Sequence, residues 1–274
     1  MKTVRILVAV ILEVFGALWL IVEITNYFVG SEVAKNIKDL WFLFLAAGVV
    51  ISVIRLWPKR TYSFLIKDRD VEVKLIIGDI FKQEGPIVVG CNTTFETSER
   101  IINAKSIQGQ FTTKYFSSPA AIDRQIAAQI ENIPCDIGTT ATVEGESVTA
   151  YFCAISELND SGSAQSTMQD LQKALGSLWH YLATSAEKSV INVPILGSGF
   201  SRISATRQDL FREIVLSFFA AISESTFCDE FRIIVYPKDI RKYDIDVSDL
   251  VKFLDHNCKY AISQPNTAGL GTAD

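Results

Sequence analysis

Histidine and paired cysteine are what this chain lacks most. It has two histidines, His180 and His256, in 274 residues. That excludes histidine-rich zinc sites and leaves little for histidine-based catalysis. The five cysteines (Cys91, Cys135, Cys153, Cys228, Cys258) are widely spread and form no CxxC pair. An odd number at such spacing reads as reduced thiols, hence a cytosolic body. Excess positive charge is also missing, since the net charge is −5. Residues 1–60 hold seven Lys/Arg against four Asp/Glu, and the remainder holds 19 against 27. An acidic main body argues against a nucleic-acid backbone as partner. Charge in general is modest at 21%, while 49% of residues are hydrophobic and the mean hydropathy is +0.24. These values exclude general disorder and turn attention to membrane segments.

Two apolar runs answer that. Residues 6–22 read ILVAVILEVFGALWLIV, broken only by Glu13 and Gly16. Seventeen residues at a helical rise span about 25 Å, near the lower limit for a bilayer core. Residues 40–54 read LWFLFLAAGVVISVI, and Arg55 beyond them can snorkel to headgroups. Trp19, Tyr27, Phe28, Trp41 and Trp57 fall near the ends, where aromatic rings favour the interface. We therefore expect a transmembrane hairpin over residues 1–60, with helices at about 5–28 and 39–57 around a polar loop. No small-residue cleavage site follows the first run, so a signal peptide is disfavoured. Lys2, Arg5, Arg55, Lys59 and Arg60 flank the outer ends, against Lys35 and Lys38 in the loop. The bias places both termini inside. Glu13, a carboxylate within the first run, has two readings. It is protonated and bonded to a neighbouring helix, or it lines a polar interior shared by several copies.

Pro58 and the basic residues around it mark a boundary, and residues 61–262 read as one α/β domain. TYSFLIK and VEVKLIIGDI are strands around a turn at 68–70; GPIVVGCN and SVINVPIL are buried strands; FRIIVYP is a last strand. ATVEGESVTAYFCAIS is a hairpin. Helices are expected over 119–132, 165–185 (capped by Ser166 or Thr167), 204–223 and 247–257. Residues 263–274 read as a flexible tail.

Two glycine segments follow buried strands: Ser106–Phe111, and Gly197-Ser198-Gly199-Phe200 with Ser201-Arg202 after it. A strand, a glycine loop and a helix together offer backbone N–H groups to phosphate. The second segment is neither a dinucleotide fingerprint, since Arg202 stands at the third glycine position, nor a P-loop. Two such loops on neighbouring strands could grip the two phosphates of a pyrophosphate.

Gly78-Asp79-Ile80 is similar to the start of macro domains, where the aspartate binds the adenine amino group. Ile87-Val88-Val89-Gly90-Cys91-Asn92 resembles the Ile-Val-Asn-Ala-Ala-Asn motif of that family, and Pro194-Ile195-Leu196-Gly197-Ser198-Gly199-Phe200 its second phosphate loop. The order and spacing of the motifs match over roughly residues 71–240. The resemblance implies a three-layer α/β/α domain with a mixed sheet. It also implies a ligand site formed by Asp79, Ile80, Asn92, Gln108, Gly109, Gln110, Phe111, Gly197, Ser198, Gly199, Phe200 and Tyr236. Asp79 would read adenine, Asn92 would face the distal ribose, and the two loops would hold pyrophosphate. Tyr236 would stack on adenine or pack in the core; Arg202 would approach phosphate or be solvated. Val89 stands where catalytic relatives carry asparagine, and no Gln-Glu-Glu pair accompanies Gln129 and Glu131. No catalytic residue, metal or cofactor is therefore expected, and a binding-only pocket is the reading. A membrane-tethered ADP-ribosyl hydrolase and a passive ADP-ribose reader are the alternatives.

The segment Lys105–Phe111 together with a transmembrane hairpin is similar to the membrane effectors of type II Thoeris antiphage defence. That resemblance implies a TIR-domain enzyme as functional partner and a signal such as histidine-ADP-ribose. It further implies homo-oligomerisation, with disruption of the bacterial inner membrane as output. His180 reads as a half-buried structural residue, His256 as a residue meeting a helix dipole, and Cys91 as a buried strand residue rather than a nucleophile.

Overall fold

The computed structural model describes residues 2–29, 41–56, 59–66, 69–98, 100–199 and 203–260. The chain divides into two compact units, Met1–Lys59 and Arg60–Asp274. The expected polar loop at 30–40, Trp57, Phe200, Ser201, Arg202 and the tail at 263–274 lie outside the described residues.

The first unit holds α1 (Lys2–Val29) and α2 (Trp41–Leu56). Proline is absent from both, so nothing interrupts their i→i−4 bonding. Val14 and Val22 are buried, eight residues apart on one face of α1; Gly48 and Ser52, four apart, are buried on α2. The Phe15 ring lies against Gly48, the absent side chain giving it room. Glu13 forms an ion pair with Arg55 at 2.9 Å. An early residue of α1 meeting the end of α2 makes the helices antiparallel. Its partner is a cation on the other leg, because the register of two antiparallel legs puts the two charges level. Residues Val8–Phe28 of α1 are long and apolar enough to cross a membrane by length and composition. The apolar stretch of α2, Ala46–Arg55, is shorter.

The second unit is built on β1 (Thr61–Ile66), β2 (Val71–Ile77), β3 (Ile87–Asn92), β4 (Thr140–Glu144), β5 (Thr149–Leu158), β6 (Ala164–Gln165), β7 (Val190–Pro194) and β8 (Glu230–Val235). The strand order is β1-β2-β8-β7-β3-β5-β4, with β6 pairing β5. From β2 to β5 the neighbours run parallel; β1 and β4 close the two edges antiparallel. Its helices are α3 (Ile107–Tyr115), α4 (Pro119–Ala127), α5 (Met168–Ser185), α6 (Arg207–Glu224), α7 (Pro237–Lys242) and α8 (Val247–Tyr260).

Period-two alternation sorts the strand side chains into two cores. On β3, Ile87, Val89 and Cys91 join Phe111, Ile122, Ile126 and Phe152. Val88 joins the other core with Leu171, Trp179, Phe211, Phe218 and Leu250. Helices α3 and α4 thus cover one face, and α5, α6 and α8 the other, giving three layers around a mixed sheet. Thr167 and Asp170 form a capping box at the start of α5. In the larger core Trp179 donates to the Ser217 hydroxyl at 3.0 Å and Phe218 stacks on Phe231 at 3.8 Å between centroids. Edge strand β4 is sealed by two glutamines of the α4 segment. Gln125 bonds both backbone groups of Glu144, and Gln129 both of Thr142. Side-chain amides here take the place of a further strand.

Candidate functional site

Parallel strands β2, β8, β7 and β3 all end on one edge of the sheet, where ligands of open α/β folds bind. Ile77 pairs with Val235, and the Gly78 N–H donates to the Val235 carbonyl at 3.0 Å. Asp79 and Tyr236 therefore leave the sheet side by side. The Asp79 carboxylate accepts the Phe81 N–H at 3.0 Å and caps a one-turn 3-10 helix, Ile80–Lys82. Its carbonyl accepts from Lys82 N–H and the Gln83 amide, both at 3.1 Å. Ile80 is buried beneath it. Tyr236 is 46% exposed, which removes the core-packing reading and leaves its ring at the surface.

The loop after β7 has two unlike glycines. Gly197 has φ +72°, a conformation that L side chains rarely adopt, and packs against Ile203. Gly199 is exposed, and a side chain there would meet nothing within 4 Å. The Ser198 hydroxyl donates back to the Ile195 carbonyl, so it closes the turn rather than pointing outward.

Residues 106–111 depart from expectation. They are not a loop but the start of α3, with Ser106 as N-cap accepting the Gly109 N–H at 3.0 Å. The Gln110 N–H donates to the Ser106 carbonyl at 2.9 Å. Phe111 is fully buried among Tyr115, Phe116 and Phe152 and faces the core, not a ligand. Gln108 is buried and donates to the Glu96 carbonyl at 2.7 Å. A side chain on Gly109 would stand 2.5 Å from the Asn103 carbonyl oxygen. That glycine serves backbone packing against the preceding segment, Asn103–Ser106. Sequence reasoning missed the helix. The 107, 111, 115 apolar spacing behind a serine was the signal that could have found it.

Asn92 ends β3 and is 3% exposed. Its amide oxygen accepts from the Thr94 N–H (3.1 Å), the Thr94 hydroxyl (2.7 Å) and the Glu96 N–H (3.1 Å). Its carbonyl end is thus spent on shaping residues 93–96. A groove of about 700 Å³ lies between α4 and residues 94–98 with Arg100, and Phe95 and Ile126 are among its walls. None of Asp79, Gly199 or Tyr236 lines it.

Burial pushes the Cys91 thiol well above its ordinary value and holds the Cys153 and Cys228 thiols up at about 12. None is a ready nucleophile. Among the described residues no cluster of three or more His, Cys, Asp or Glu could hold a metal ion. His180 is exposed, contrary to the half-buried expectation, because it falls on the outer side of α5 beside buried Trp179. His256 is exposed near the end of α8, its ring 4.9 Å from that of Tyr260.

The family model described as "Thoeris protein ThsA, Macro domain" matches residues 73–236. The chain belongs to that family. Its macro domain is similar in fold to the solved Oceanobacillus iheyensis macrodomain with ADP. There the identity is 14%, 72% of this chain and 97% of that chain are covered, and the TM-score is 0.54. A variant of the same macrodomain gives 13% identity, 73% and 100% coverage and a TM-score of 0.55. No curated protein matches. The macro-domain match runs from Val73 on β2 to Tyr236 at the end of β8, and so spans Asp79, Asn92, Gly199 and Tyr236.

Proposed function

We propose that the chain is a membrane-anchored sensor whose macro domain binds an ADP-ribose derivative and does not turn it over. The observation that carries the reading is the strand edge itself. A carboxylate, an exposed aromatic ring and an open glycine turn stand at the ends of β2, β8 and β7, in the order a base and a diphosphate require. Asp79 takes the adenine amino group, Tyr236 stacks on the base, and the backbone at Ser198–Gly199 approaches phosphate. The ADP in the similar solved macrodomain supports a nucleoside diphosphate as ligand class. Binding without hydrolysis accords with Val89, with the buried thiols, and with Gln129 being held by Thr142.

In this reading α1 and α2 both cross the bacterial inner membrane, with the termini and the macro domain in the cytoplasm. The Glu13–Arg55 pair brings two charges into the membrane segment as a neutral unit. A TIR-domain enzyme supplies the signal, with histidine-ADP-ribose as the example. Ligand binds an assembled state better than the single chain, since equal affinities would shift nothing. The assembly then disrupts the membrane.

The test is calorimetry of the full-length protein in detergent with ADP-ribose, chromatography of the recovered ligand, and ligand-dependent dye entry in cells. Binding, intact ligand and dye entry are expected. Release of altered ligand at about 1 s⁻¹ or faster would replace the sensor with a hydrolase. Binding without any change in size or in membrane integrity would leave a passive reader.

A further inference from the structure

We infer that Lys114 is a positioning residue that sets base selectivity from outside the nucleotide edge. Lys114 lies in the last turn of α3, and its ammonium donates to the Phe81 carbonyl at 2.8 Å. It also sits over two rings, 5.4 Å from the Phe81 centroid and 5.1 Å from that of Tyr115. Phe81 and Tyr115 are themselves 6.3 Å apart. The other side of the Phe81 residue is equally engaged, because its N–H is the donor held by the Asp79 carboxylate. Phe81 is therefore fixed at both ends, by Asp79 at its N–H and by Lys114 at its carbonyl.

A 3-10 turn of three residues makes few internal bonds and has weak intrinsic persistence. Its carbonyls need outside partners, and a charged donor is the stronger kind. Both rings attract the ammonium, and together they hold it over the turn. The lysine thus ties the turn that carries Asp79 to the end of α3. The opposite end of α3, about 13 Å away by helical rise, is capped by Ser106 next to the Asn103–Ser106 segment. One helix connects the base-reading turn at one end to a second loop at the other. Loss of Lys114 frees the Phe81 carbonyl and lets the Asp79 carboxylate wander from the position it needs to face an exocyclic amino group. Nothing in the phosphate contacts depends on it.

This role rests on the nucleotide reading above. The experiment compares full-length wild type, Lys114→Met and Lys114→Arg in detergent. The probes are ADP-ribose and its counterpart carrying hypoxanthine in place of adenine, with Tm recorded alongside. Wild type should prefer the adenine compound. Lys114→Met keeps the apolar stem and should shrink that preference about tenfold, the factor carried by one hydrogen bond to a charged group. Affinity for the hypoxanthine compound and Tm should hold, and Lys114→Arg should restore the preference. An unchanged preference, or an equal loss for both compounds, overturns the assignment. If wild type binds neither compound, the nucleotide reading falls and the selectivity role falls with it. Amide exchange at Phe81 tells the two failures apart. It quickens in Lys114→Met if the lysine holds the turn, whatever ligand binds.

Discussion

Gly109 and Gly199 look alike in the sequence and do opposite things in the fold. Each lies in a short polar run that follows a buried strand in the sequence, five residues after Pro194 for Gly199 and seventeen after Asn92 for Gly109, and each reads as a place where backbone meets phosphate. In the structure Gly109 lies within a helix, pressed on the Asn103 backbone so closely that a side chain would stand 2.5 Å from its carbonyl oxygen. Gly199 faces open space at the end of β7. One glycine is required by what the protein has already packed there; the other keeps room for what has yet to arrive. A glycine in a motif therefore carries no meaning until its missing Cβ has been given surroundings.

Substitution separates the two. The largest effect expected is Gly199→Glu, which adds a side chain and a negative charge where phosphate would come. Binding of ADP-ribose should weaken by about 3 kcal/mol or more, the scale of like charges brought together at an interface. Stability should stay within about 0.5 kcal/mol, as at other exposed positions. Calorimetry paired with thermal melts reads both, and a large fall in Tm with intact binding would reverse the contrast.

Gly109→Ala should do the reverse. Overpacking against a backbone carbonyl costs about 1–3 kcal/mol of stability, or about 2–4 °C in Tm per kcal/mol at this size. Residual binding at saturating ligand should survive. If Gly109→Ala melts like wild type, the close approach to Asn103 is not what keeps that residue a glycine.

Asp79→Ala sharpens the contrast from the base side. It removes the group assigned to adenine together with the cap of the 80–82 turn, and should cost about 1–3 kcal/mol of binding. Equal affinity of wild type and variant would remove Asp79 from the site.

The smallest effect lies in the first unit, where the same pair of cases recurs. Gly48 meets the Phe15 ring, and Gly16 meets nothing within 4 Å. A ring tip can move where a backbone cannot, so Gly48→Ala should loosen the pairing of α1 and α2 by about 1 kcal/mol, the low end of overpacking. Gly16→Ala should leave it unchanged. Unfolding in detergent, monitored by helicity, orders the two, and a larger loss at Gly16 would mean a face of α1 that packs against something else.

Much of the architecture was legible. The strands around 61–66, 71–77, 87–92, 190–194 and 230–235 announce themselves as β-branched runs, and α5 and α6 by apolar spacing. Asp79 and Gly199 stand at strand ends, as their position after apolar runs implied. What misled was polarity. Ser106-Ile107-Gln108-Gly109-Gln110-Phe111 looks like a loop because glycine and glutamine dilute its helical period, yet Phe111 is buried and the segment is helix. His180 was misjudged because buried Trp179 is next to it, and adjacent helical residues point about 100° apart.

By itself the sequence determined the elements and the order in which they occur. It also set the two apolar helices apart from an acidic α/β body and kept histidine scarce. Those properties are local: they follow from composition and from period along the chain. Only the tertiary structure decided which polar groups are already engaged. Asn92, Gln108, Gln125 and Gln129 could each have faced a ligand, and each is held by backbone groups of its own domain. Glu13 likewise found Arg55 some forty residues away. A hydrogen-bonding side chain is claimed by whichever partner the fold brings within about 3 Å, and that proximity is a property of the packed molecule rather than of the chain.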